Sequence, residues 1–188
     1  MNDKIAIDIA LLPPDEIMDL AIKINRAHKP EFLLNKQDYL PHITLSQAIL
    51  KQDDLAEAEA RLKLLASEFK PLLLKAKIIP NFIEPYENKG LIKLHKVVMG
   101  KFQDLVSYNV QAKYFFDSHI RHKSLNWVRN YRSDSAFGSY YPHLTLGTTE
   151  PIQNVPDVRF TVKRLVVCHL GNYNTCRKIL VETELCDD

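Results

Sequence analysis

A seven-residue segment occurs twice in this chain of 188 residues. Tyr39-Leu40-Pro41-His42-Ile43-Thr44-Leu45 returns 101 residues later as Tyr140-Tyr141-Pro142-His143-Leu144-Thr145-Leu146. With seven histidines and seven threonines in the chain, chance supplies about a quarter of one His-x-Thr triplet, so one copy alone means little. Two copies that share Tyr, Pro, an aliphatic residue between His and Thr, and a following Leu are a repeat. Side chains at i and i+2 of a strand face the same side. His42 and Thr44 therefore project together while Ile43 and Leu45 face a core, and the same holds for His143 and Thr145 against Leu144 and Leu146. Each Pro sits where a strand begins and a missing amide hydrogen is tolerated. The fold must bring these two strands together if the repeat is to form one site, side by side about a pseudo-twofold axis.

Two imidazoles and two hydroxyls in one cleft suit phosphoryl chemistry. A phosphodiester needs a base for the attacking water or hydroxyl, an acid for the leaving oxygen, and donors for the non-bridging oxygens. Histidine, with an ordinary pKa of about 6.5, can hold either protonation state near neutrality. The threonine hydroxyls and one imidazolium would carry charge on the equatorial oxygens. No cluster of His, Asp or Glu at metal-ligand spacing adjoins either copy in the sequence, so neither metal nor cofactor is expected. His42, Thr44, His143 and Thr145 are the expected catalytic set. The residues do not say which histidine is acid and which is base.

The rest of the chain reads as alternating strands and helices. Ile5, Ile7, Ile9 and Leu11 have the period of a strand, and Pro13-Pro14-Asp15 opens a helix with Ile17, Leu20, Ala21 and Ile24 on one face. Residues 39–50 read as a strand. Asp53 or Asp54 caps a helix striped by Leu55, Ala58, Leu62, Leu65 and Phe69, which Pro71 stops. Residues 72–79 and 91–98 read as strands, and a third helix is expected between Phe102 and Phe116. The polar stretch 117–139 reads as a long loop or flap with room for a short helix. Residues 142–149 form a strand, and 161–170 with 178–185 form a hairpin turning near Gly171-Asn172. No linker divides the chain, so residues 1–188 are expected to form one α+β domain.

A net charge of +2 gives no reason to expect a coat for long nucleic acid, but it is compatible with a short anionic substrate. Three cysteines, Cys168, Cys176 and Cys186, offer no disulfide framework. The apolar N-terminal run is broken by Asp8 and ended by two prolines, which fits neither a signal peptide nor a membrane span. The expectation is a cytoplasmic monomer without an obligate protein partner.

At the two His-x-Thr segments the chain resembles the 2H phosphoesterase superfamily, whose hallmark is a pair of His-hydrophobic-Thr/Ser-hydrophobic motifs about a hundred residues apart. Here these are His42-Ile43-Thr44-Leu45 and His143-Leu144-Thr145-Leu146. The resemblance implies a bilobed fold, with two pseudo-symmetric lobes whose antiparallel sheets flank a central cleft and whose helices lie outside. It implies cofactor-free cleavage of phosphodiesters such as 2′,3′-cyclic phosphates or 2′-5′ linkages, on a nucleotide or short RNA. The same site would serve an RNA-end ligase or transesterase working in reverse, or a nucleotide-binding module without turnover. The individual segment 117–139 is where such proteins set substrate choice.

Around the motifs, Tyr141 shares the face of His143 and can stack on a base or touch the phosphate. Phe82 and Tyr86, with Lys93 on the following segment, are candidates for an aromatic wall beside a cation. His95, Tyr39 and Tyr140 read as structural. Arg121, His122, Lys123, Arg129 and Arg132 can guide an anionic substrate but read first as a solvated charged segment.

Overall fold

The alternation of apolar residues near the N-terminus forms strand β1 (Lys4–Leu12), which is buried on both faces from Ile5 onward. In this computed structural model, which describes residues 3–28, 30–148, 150, 152 and 155–186, β1 lies between two antiparallel neighbours. They are β2 (Ile43–Lys51), which carries the first motif, and β8 (Arg164–Leu170). Helix α1 (Asp15–Ala27) begins after Pro14, with Asp15 and Glu16 placed favourably at the positive end of its dipole. Helix α2 (Leu55–Ser67) buries Ala58, Leu62, Leu65 and Ala66, as its stripe requires, and packs on β8 and on β9 (Cys176–Glu184).

Strands β3 (Leu72–Ile79), β4 (Phe82–Pro85), β6 (Leu144–Thr145) and β7 (Val158–Val162) form the other half. Hydrogen bonds join everything into one curled antiparallel sheet in the order β7-β3-β4-β6-β2-β1-β8-β9, with the two-residue β5 (Val106–Ser107) also on β2. The fold is thus α+β and bilobed, and the two halves meet where β6 lies against β2. Ile43 and Leu144, paired across that joint, are both fully buried. Each such side chain contributes about 1.5–3 kcal/mol by leaving water, so apolar burial holds the two motifs together.

Four expectations from the sequence need correction. Residues 91–98 are not a strand but the middle of helix α3 (Lys89–Lys101). Leu91, Leu94, His95, Val98 and Met99 are its buried side, a spacing of 3.6 rather than 2, and the Asn88 side chain caps it by accepting from the Leu91 amide at 2.9 Å. The helix expected between Phe102 and Phe116 is absent. Phe102 ends α3, and the chain then gives β5 and a single turn at Ala112–Tyr114. Thr161 and Val162 belong to β7 on β3, not to the terminal hairpin, so the chain changes halves at Lys163. The second motif strand is also shorter than expected. Gly147 takes φ +70° and ends it, and Thr149 lies outside the described residues.

The stretch 117–139 holds helix α4 (His122–Asn130), followed by a π-helical turn at Tyr131–Ser135 and a short 3₁₀ turn at Phe137–Ser139. All three cysteines are free. No helix among the described residues is long and apolar enough to cross a membrane.

Candidate active site

Because β2 and β6 run antiparallel with Ile43 opposite Leu144, Thr44 faces His143 and His42 faces Thr145 across the joint. Cross-strand neighbours of this kind stand about 5 Å apart. Exposure alternates as the pattern demands: His42, Thr44, His143 and Thr145 are half-buried, whereas Ile43, Leu45, Leu144 and Leu146 are buried. All four polar residues line one cleft of about 390 Å³.

Each imidazole is held in the same way. His42 Nδ1 is 2.8 Å from the Leu40 carbonyl, and His143 Nδ1 is 2.8 Å from the Tyr141 carbonyl. A carbonyl can only accept, so each Nδ1 carries its hydrogen and each Nε2 is left for chemistry. The i−2 bonds repeat across the pseudo-twofold, as the repeated sequence requires.

The surroundings break that symmetry. Asp8, fully buried on β1, sits beneath the first motif only. Its Oδ2 accepts from Thr44 Oγ1 at 2.7 Å and from Gln47 Nε2 at 2.7 Å, and lies 3.5 Å from His42 Nε2. Burial pulls the His42 pKa down, but the Asp8 carboxylate outweighs it and the net shift is upward. His143 has no hydrogen-bonded carboxylate, and Asp8 and Glu84 raise its pKa only weakly from a distance. Burial and then the nearby His42 charge outweigh its backbone hydrogen bond, and its pKa falls. Sequence reasoning missed Asp8. The available signal was a carboxylate on the small-residue face of an otherwise apolar strand.

Asp8 also alters the role expected of Thr44, whose hydroxyl is committed to the carboxylate. The Thr145 hydroxyl makes no hydrogen bond among the described residues and lines the cleft. Asp8, His42 and Cys176 each place one possible ligand atom within 4.8 Å of the others, a grouping hidden by their separation in sequence. Burial keeps the Cys176 thiol well above its ordinary pKa, and Asp8 Oδ2 already takes two hydrogen bonds. The thiol is therefore not set up as a cation ligand, whereas Asp8 Oδ1 is buried without a hydrogen-bond partner.

The first motif is braced from the second half of the chain. A β-bulge at Leu45 shifts the β1–β2 register between Ile9–Ser46 and Ala10–Thr44. The Leu45 carbonyl accepts from His95 Nδ1 at 2.7 Å and from the Tyr131 hydroxyl at 3.3 Å. His95 Nε2 accepts from the Phe137 amide, and its ring lies parallel to Tyr140 at 3.8 Å. Tyr140 in turn donates to the Thr44 carbonyl at 2.9 Å. Burial lowers the His95 pKa, so this histidine is a neutral strut between the motifs.

The expected substrate residues divide. Tyr141 lines the cleft, 5.4 Å from the His143 ring, and its hydroxyl donates to Glu84. Burial and this carboxylate push its pKa up to about 12. Phe82 packs against His143 with ring centroids 4.5 Å apart and so supports the imidazole. Tyr86 is outside the cleft, bonded to Asp157 with Lys75 over its ring. Lys93, on α3 rather than on a strand, lies over Phe69 and also outside it. The cleft's far wall comes instead from Trp127, Tyr131, Tyr173 and Asn174, residues that no spacing rule connects to the motifs.

The β8–β9 turn is fastened to that wall at close quarters. Arg177 bonds Asp117 at 2.7 Å and stands 3.9 Å over Tyr39, and Asp117 also accepts from the Asn172 amide. A Cβ on Gly171 would lie 2.5 Å from Asp117 Oδ2 and 2.8 Å from Arg177 Cδ. Gly171→Ala is therefore expected to cost about 1–3 kcal/mol of stability through forced displacement, read as a lower urea midpoint with an unchanged slope.

No family model matches the chain, and no curated protein matches it by sequence. Solved structures do. TT0787 of Thermus thermophilus aligns over 96% of this chain and 98% of its own, with TM-score 0.59 and 14% identity. E. coli LigT complexed with phosphate covers 98% and 99%, with TM-score 0.55 and 16% identity. LigT complexed with 3′-AMP covers 97% and 98%, with TM-score 0.55 and 17% identity. At these identities the likeness is one of fold.

Proposed function

We propose that this protein is a metal-independent phosphodiesterase of the 2H type, hydrolysing a 2′,3′-cyclic phosphate or 2′-5′ phosphodiester of RNA or a nucleotide. The observation that carries the reading is the antiparallel pairing of the two motifs, which sets two imidazoles around one cleft, each with its Nδ1 bound to a backbone carbonyl. Phosphate and 3′-AMP as ligands of E. coli LigT support a nucleotide in that cleft.

His143, neutral because its pKa is lowered, takes the proton from the attacking water through Nε2. The water oxygen bonds to phosphorus, the bond to the ribose 2′ or 3′ oxygen breaks, and His42 Nε2–H protonates that oxygen. The 3.5 Å separation leaves the His42–Asp8 contact long, so the proton is held near Asp8 yet can pass to a leaving group. Thr145 and the His42 charge steady the non-bridging oxygens.

The assignment fixes the sign of the pH dependence. His143 must be deprotonated, so activity is lost as pH falls through a value below about 6.5. His42 must be protonated, so activity is lost as pH rises through a value above about 6.5. A panel of cyclic, 2′-5′ and 3′-5′ substrates is expected to give turnover with a kcat/KM plateau spanning about pH 6.5, undiminished after dialysis against a chelator. Turnover that chelation abolishes and zinc restores would shift the chemistry to Asp8, His42 and Cys176. Absence of turnover on the whole panel would refute the proposal.

A further inference from the structure

The cleft around His42 and His143 has no lysine or arginine in its lining among the described residues. It can answer one phosphate through the His42 imidazolium and has no fixed cation for a second. A neighbouring cavity of about 150 Å³ shares Trp127, Thr145, Tyr173 and Asn174 with it, so the two are compartments of one groove. The neighbour contains Arg121 and Lys123, both exposed. Arg121 lies over the Tyr173 ring at 4.4 Å and reaches Glu31 only at 3.6 Å, an exposed pair that holds it weakly. Lys123 has no ion-pair partner among the described residues.

The partition between the compartments is a built feature. Tyr173 and Asn174, neither of them glycine, both adopt positive φ, 59° and 56°, a conformation retained only where its surroundings impose it. The Tyr173 amide donates to Ser124 Oγ at 3.1 Å, and the Arg121 amide donates to Asn172 Oδ1 at 3.0 Å, so the turn and α4 hold each other. Asn174 Oδ1 is buried at this junction without a hydrogen-bond partner. Trp127, 43% exposed, offers a π-face beside it, while the Tyr173 ring is held by Arg121 and Phe32.

We infer that Arg121 and Lys123 form a subsite for a second phosphate of the substrate, with Trp127, Tyr173 and Asn174 receiving the nucleoside between the two phosphates. The inference takes the His42/His143 cleft as the seat of the reacting phosphate. The favoured substrates then carry a further phosphate nearby, either the 5′-flanking phosphodiester of an RNA end or the pyrophosphate of a dinucleotide. A lone nucleoside cyclic phosphate fills only half the groove.

Trp127 is the chain's single tryptophan, so its fluorescence reports occupancy whether or not turnover occurs, with calorimetry as a second reading. The probes are uridine 3′-phosphate, the 3′-phosphorylated dinucleotide UpUp, and NADP⁺, titrated into the wild type and Arg121→Gln/Lys123→Gln. A two-phosphate ligand is expected to bind the wild type about tenfold or more tightly than uridine 3′-phosphate. That advantage should shrink to about twofold or less in the double variant. Preference for UpUp identifies an RNA end, and preference for NADP⁺ identifies a dinucleotide. Equal affinity for one- and two-phosphate ligands, an advantage that survives the double substitution, or no binding of any probe overturns the subsite. Selective UpUp or NADP⁺ binding without turnover of any cyclic substrate upholds the subsite and removes the hydrolase reading. Turnover without two-phosphate selectivity does the reverse.

Discussion

His42→Ala and His143→Ala are each expected to lower kcat for a cyclic phosphodiester by about 10²–10⁴-fold, the usual range for loss of a general acid or base. Neither ring is part of the apolar joint, which is made by Ile43 and Leu144, so both variants should fold; His143→Ala should melt within a few degrees of the wild type and His42→Ala lower, because buried Asp8 loses its partner. The pH profiles separate the two roles. Without His42 the alkaline fall should vanish, because the group that must be protonated is gone. Without His143 the acid-side loss should vanish for the converse reason. The double variant should be little worse than the poorer single one, since residues acting as a unit are not additive. Near wild-type kcat in both single variants, measured on purified folded protein, would end the two-histidine mechanism.

What could be read from the sequence was whatever is local and repeated. The two His-x-Thr segments carry their own alternation, and the structure gives them the facing that a period of two demands. β1, α1, α2 and β3 follow from strong local periodicity. Residues 91–98 were misread because their apolar positions fit an alternating strand in part, while the helical spacing of Leu91, Leu94, His95 and Val98 and the cap at Asn88 fit better. Other features depend on tertiary placement that no window contains. Asp8 acquires its meaning only when β1 pairs with β2, and Trp127 and Tyr173 meet the motifs only through the packing of α4 on the β8–β9 turn. His95 read correctly as structural, yet its partners, the bulged Leu45 carbonyl and the Tyr140 ring, are visible only in the fold.

The repeat therefore supplies a symmetric pair of imidazoles, and a single buried carboxylate makes them different. Two identical histidines in one cleft would compete for one proton, and neither would be assigned a role. Asp8 places that proton on His42, and His143 is depressed partly by the charge that results. In the proposed mechanism the division of labour rests on a residue outside both motifs.

Asp8→Asn tests this directly. The amide keeps the carboxylate's shape and an oxygen for Thr44, but it removes the charge that holds the His42 proton. The alkaline limb of kcat/KM is expected to move to lower pH by roughly 1–3 units, the range seen when a charge partner is lost. Activity near pH 7.5 should fall about 10–100-fold and recover in part on acidification. His143 should behave as before or titrate slightly higher, because the neighbouring charge is weaker. Folding gives an independent reading. In the wild type the raised His42 pKa contributes stability that is complete below about pH 6.5 and is lost as pH rises through its folded value. That decline should flatten in Asp8→Asn. Total stability should fall, most below about pH 6.5, because the amide gives up the charge that His42, Thr44 and Gln47 share and one partner of a buried pair is removed. An alkaline limb that stays in place while kcat drops would make Asp8 a packing residue, and the choice of His42 as the acid would then fail.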